Sequence, residues 1–128
     1  MNAHEPIITR WLSAGDAGQF EAFDALLKAD VIVHAPGGLS TSSCAGEVAV
    51  WRAAREAVPD LRHDVQEVLV GDKVEMARVI VSGTIKKDFG GVVARGQRFE
   101  VDQAVIVHLQ DGLIAEAWEI VDASALSE

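Results

Sequence analysis

Along the first third of the chain apolar residues recur at helical spacing. Ile7, Ile8, Trp11 and Leu12 form one stripe, Pro6 suits a first helical turn, and Gly15 is expected to stop the pattern. A second helix is expected to open at Asp16 or Gln19 and to bury Phe20, Phe23, Ala25, Leu26 and Leu27. The stretch VIVH, ending at His34, is β-branched and bounded by Asp30 and Pro36–Gly37–Gly38, which predicts a short strand. GGLSTSSCAG then reads as a loop, and residues 45–57 as a third helix that Pro59 ends, because proline cannot continue the hydrogen-bond ladder.

After Pro59 the period changes. RHDVQEVLV, KVEMARVIVSGT, QRFEVDQAVIVHLQ and LIAEAWEIVD predict four strands, with hairpin turns at Gly71–Asp72 and Asp111–Gly112 and a long glycine-containing connection, IKKDFGGVVARG, between the middle two. Three helices followed by an antiparallel sheet give an α+β fold with the helices gathered on one face. In the last strand the alternate positions Leu113, Ala115, Ala117, Glu119 and Val121 are apolar except for one carboxylate. That exception is the first candidate for chemistry.

Composition narrows the classes. A chain of 128 residues fits one domain, 1–128, and 49% hydrophobic against 24% charged residues is ordinary for a globule. The net charge of −9 disfavours nucleic acid and anionic membrane surfaces. No apolar stretch approaches the length of a membrane span. The N-terminus lacks the basic segment and apolar run of a secretory signal, so a cytoplasmic location is expected. The single cysteine, Cys44, cannot form an internal disulfide, and four histidines without short ligand spacing argue against a metal site.

With the elements placed, AVPDLRHDVQEVLVGDKVEMARVIVSGT and GVVARGQRFEVDQAVIVHLQDGLIAEAWEIVD resemble the SnoaL-like polyketide cyclases of the nuclear transport factor 2-like superfamily. The likeness rests on Pro59–Asp60–Leu61, Gly83–Thr84, Gly96, and the Asp111–Gly112 turn followed by Ile114, Glu116 and Trp118. It implies a cone-shaped α+β barrel, three N-terminal helices packed on a curved, mainly antiparallel sheet, with an apolar pocket open at one end. In that family a carboxylate on the last long strand, seven residues after the glycine of the turn, acts as acid and base; here that position is Glu119. A carboxyl group on such a wall is desolvated, and its pKa rises toward neutrality. Its other reading is one half of a structural ion pair with Arg78 or Arg98.

The family's second polar residue, a histidine on the preceding strand, falls on Val105, with Gln103 two residues earlier on the same face and His34 as a replacement from across the cone. Limonene epoxide hydrolases, a sister family, use Asp–Arg–Asp; Arg78 is present but Ile80 stands where the second carboxylate belongs.

The resemblance therefore implies a cofactor-free enzyme that takes a proton next to a carbonyl and promotes cyclisation of aldol type, or isomerisation, of a polyketide-like substrate. Glu119 would be the base and later the acid, and Arg78, Gln103 or His34 would hold the enolate oxygen. Trp11 and Trp51 would line the pocket beside Val105, and Gly15 would enlarge it. The alternatives are a non-catalytic binder of an apolar ligand and an epoxide hydrolase-like enzyme. Ile106, Ile114, Trp118 and Ile120 would point away from the pocket and make a homodimer contact.

Overall fold

A computed structural model describes residues 5–122. Helix α1 spans Ile7–Ala17, a 3-10 helix Phe20–Ala25, β1 Leu27–His34 and α2 Cys44–Ala57. The strands β2 (Arg62–Val70), β3 (Val74–Thr84), β4 (Arg98–Gln110) and β5 (Leu113–Val121) complete it. Among the described residues no helix is long and apolar enough to cross a membrane.

The five strands form one curved, open sheet in the order β1-β5-β4-β3-β2, antiparallel throughout except that β1 runs parallel to β5. The two hairpin turns lie where the sequence predicts them. Gly71 closes the first by donating to the Val74 carbonyl at 2.7 Å. In the second both Asp111 and Gly112 take positive φ (53° and 77°), the conformation that matches the twist of a two-residue hairpin.

Three local expectations change. Gly15 does not end α1, which continues to Ala17 and stops at Gly18 in the left-handed conformation. A Cβ on Gly15 would overlap the Trp51 ring, so this glycine lets the two helices close together and does not enlarge a cavity. The second helix is only the 3-10 turn, and Leu27 already begins β1, because the chain must turn at once to lie beside β5. Finally, β5 carries a bulge. Ile114 pairs with Leu109 but Glu116 pairs with His108, leaving Ala115 as the extra residue. The bulge reverses the alternation, so Ile114 is fully buried and leaves the outer face, while Ala117, Glu119 and Val121 face inward.

The helices cover the concave side. Ile8, Trp11, Leu12, Phe23 and Trp51 pack against Val79, Val105 and Val107 in the main core, with Trp11 and Phe23 each edge-on to Trp51. Pro6 offers α1 no side-chain cap. Glu75 of β3, 4% exposed, supplies it by accepting from the backbone N–H of Ile8 at 2.8 Å. A smaller core of Ala57, Val58 and Ile85 lies under the 85–97 connection. The space between the two cores is left unfilled.

Candidate active site

That space is a cavity of about 250 Å³ between α2 and the inner face of the sheet. Two loops border it, and a Cβ on Gly37 would strike the Gly90 backbone, so the loops touch through glycine. The wall is apolar, from Val50, Ala54, Val81, Phe99 and Val101 among others, and four polar side chains interrupt it: Glu47, His63, Gln103 and Glu119. No lysine or arginine lines it among the described residues.

Glu119 reaches the cavity because its side of β5 faces inward. Part of its surface faces that space, yet the carboxyl lies deep in the protein and makes no hydrogen bond with a described residue. Burial pushes its pKa up to about 8, and the charge of Glu47 adds to the effect. Gln103 sits diagonally across on β4, since Val105 is the residue directly opposite Glu119. The Gln103 side chain is 7% exposed and its Oε1 has no hydrogen-bond partner.

Glu47 comes from the first turn of α2, which Ser43 caps by accepting from Gly46 N–H at 2.9 Å. It is 2% exposed, accepts from the Thr41 hydroxyl at 2.6 Å, and is also bonded by the Trp51 side chain one helical turn on. Burial raises its pKa, and the two hydrogen bonds oppose that rise.

His63 enters from β2. Asp16, near the end of α1, grips it twice: Oδ1 lies 2.7 Å from the ring Nδ1, and Oδ2 accepts the His63 backbone N–H at 2.6 Å. The ring also rests against Trp51, with centroids 5.0 Å apart. A carboxylate on Nδ1 fixes the tautomer that bears hydrogen there, and leaves Nε2 as the nitrogen free for a ligand.

The cavity thus brings together three of the residues named from sequence: Glu119, Gln103 and Trp51. The others lie elsewhere. His34 is on the outer face, 2.7 Å from Glu116 and stacked on Trp118, because the inward positions of β1 are taken by Val31 and Val33. Arg78 is also outside, bonded to Glu67 and Asp102 at 3.2 and 3.3 Å, so neither it nor Arg98 pairs with Glu119. Val105 and Trp11 are fully buried core residues that do not border the cavity. Cys44 is buried beside Asp24, and burial followed by the Asp24 charge pushes its thiol up, which keeps it protonated and a poor nucleophile. Among the described residues no group of three or more histidine, cysteine or acidic side chains is placed to hold a metal ion.

Glu47, His63 and Asp16 were not singled out from sequence as site residues. The signal for Glu47 is legible in hindsight, since Glu47, Trp51, Ala54 and Val58 follow one another at helical spacing and put a carboxylate in a buried stripe. His63 carries no such mark, because its partner lies 47 residues away in sequence.

The model of the SnoaL-like polyketide cyclase family matches residues 6–128. The chain belongs to that family. IdmH from Streptomyces antibioticus, a proposed polyketide cyclase, superposes with a TM-score of 0.79 at 25% identity over 94% of this chain and 93% of its own. TsrD from Streptomyces laurentii gives 0.83 at 26% identity, over 94% and 88% of the two chains. A SnoaL-like polyketide cyclase from Agrobacterium tumefaciens shares the fold, at 0.81 and 18% identity over 94% and 92%. None of the curated proteins compared with the chain matches it. The polar groups that the present cavity offers a ligand are carboxyls, an amide and one imidazole.

Proposed function

We propose that the protein is a SnoaL-like cyclase or isomerase in which Glu119 takes a proton from a carbon next to a carbonyl. The supporting observation is the position of Glu119: a carboxyl without a hydrogen bond to any described residue, its pKa pushed up to about 8 by burial, on the wall of an apolar cavity. A base with a pKa near the working pH is well matched to removing and returning a proton.

In this reading the electron pair of the broken C–H bond moves onto the carbonyl oxygen and Glu119 becomes the carboxylic acid. The Gln103 amide N–H stabilises that oxygen, and the His63 ring, held by Asp16, borders the same space. For cyclisation the enolate carbon attacks a second carbonyl of the same substrate, and the new alkoxide recovers the proton. For isomerisation the proton returns to another carbon. His63 takes the place in this scheme that sequence gave to His34. The same cavity would serve a plain binding protein less well, since a store for an apolar ligand gains nothing from a carboxyl that is costly to bury without partners. The epoxide hydrolase reading loses its arginine, because Arg78 lies outside.

The test is Glu119→Gln, which keeps shape and hydrogen-bonding capacity while removing the proton acceptor. Turnover of a polyketide-like substrate should fall roughly 10²–10⁴-fold with substrate affinity little changed. Turnover at the parent rate would end the proposal. We also infer a homodimer through the outer sheet face, where Ile32, Met76 and Ile120 are exposed beside Trp118; light scattering reads its mass directly.

A further inference from the structure

Three oxygen acceptors converge on the cavity with few donors to meet them. Thr41 and Trp51 satisfy Glu47 only in part, since a carboxylate offers about four acceptor sites. Glu119 makes no hydrogen bond with a described residue and as the acid brings a single O–H of its own, and Gln103, more than nine-tenths buried, leaves Oε1 unmet. Of the rings on the wall, His63 already spends Nδ1 on Asp16 and Trp51 its indole N–H on Glu47. Among the described residues no lysine or arginine lines the wall. Buried acceptors of this kind are normally paired, and a ligand entering the cavity can supply the missing donors.

We propose that the substrate carries a hydrogen-bond-donating group, a hydroxyl or an ammonium, which lodges among Glu47, Glu119 and Gln103, and that Glu47 makes the cavity reject ligands bearing a carboxylate. This rests on the cavity being the substrate site, and it assigns Glu47 a part in selecting the substrate that the proton-transfer scheme does not use. A carboxylate brought into this wall would stand against the Glu47 carboxyl and the Gln103 carbonyl in a low dielectric, with no lysine or arginine among the described lining residues to balance it. A substrate acid would therefore have to arrive as an ester, an amide or a thioester.

Four flat probes that differ in one substituent test this by isothermal titration calorimetry on the whole protein: 2-naphthol, 2-(aminomethyl)naphthalene, 2-methoxynaphthalene and 2-naphthoate. At least one donor probe should bind roughly tenfold or more tightly than the methoxy ether, the usual consequence of leaving a buried acceptor unmet, and naphthoate should bind weakest. The tighter of the naphthol and the amine identifies the donor as neutral hydroxyl or as cation. Gln103→Met should shrink the advantage of the donor probe, and Glu47→Gln should admit naphthoate. Should Glu47→Gln fail to fold, the parent series and Gln103→Met still decide. Naphthoate binding as tightly as the donor probes overturns the proposal. So does equal affinity for the ether, or no measurable binding of any probe. Because the series reads affinity alone, it can fail while Glu119→Gln still abolishes turnover, and can succeed while that variant stays active.

Discussion

The molecule holds two histidine–carboxylate pairs of the same length on opposite faces of one sheet. His63 and Asp16 meet at 2.7 Å on the inside, with side chains 9% and 20% exposed. His34 and Glu116 meet at 2.7 Å on the outside, at 47% and 36%. Distance does not separate them; surroundings do. The outer pair sits in water, where ion pairing contributes little and salt screens it. The inner pair is held by a second hydrogen bond to the His63 backbone, is packed on Trp51, and borders the cavity that Glu119 lines. An imidazole becomes useful for chemistry when its partner fixes the tautomer and when a substrate can reach the other nitrogen.

The largest expected effect of breaking this contrast is on turnover. His63→Asn keeps a donor near the Nδ1 position for Asp16 but removes Nε2, and should lower turnover roughly 10²-fold, whereas His34→Asn should leave it at the parent value. Steady-state kinetics on the two variants decides it; equal losses would mean that the inner pair has no special role.

A smaller effect concerns stability, and compares the two glutamates of β5. The folded-state pKa of Glu119 is raised to about 8 from an ordinary 4.5, so the native chain keeps a proton that the unfolded chain releases between those values. Its contribution is fully present below about 4.5 and is lost as the pH rises through 8. Melting temperature should therefore fall with pH across that window. Glu119→Gln should flatten the slope and melt above the parent at the alkaline end, while Glu116→Gln, on the wet face, should leave the slope unchanged. Scanning calorimetry at a series of pH values checks both. The smallest effect lies on the outer face alone: Ile120→Lys should weaken the dimer in light scattering without touching turnover, because the Ile120 side chain is 58% exposed and does not line the cavity.

How much was legible follows from the range of each interaction. Strand limits and hairpins could be read because period and turn chemistry are local, and β2 matches RHDVQEVLV residue for residue. Glu119 could be read because it interrupts an apolar alternation at a fixed count from a turn. Its companions could not. His63 gains its role from Asp16, Glu47 from Thr41 and its place opposite β5, and none of these contacts leaves a repeat in the sequence. His34 and Arg78 misled for the complementary reason: both have the right chemistry, and side-chain parity sends both to the outer face.

The bulge at Ala115 also makes the length of β5 adjustable at one point. Ile114 lies opposite Leu109 and Glu116 opposite His108, so Ala115 is surplus and the pairing on either side of it is already in step. Deleting Ala115 in frame would close the bulge and leave Glu119 opposite Val105, still facing the cavity, with Trp118 still opposite Ile106 on the outer face. The strand can therefore lose one codon here without exchanging the carboxyl in its pocket for an indole.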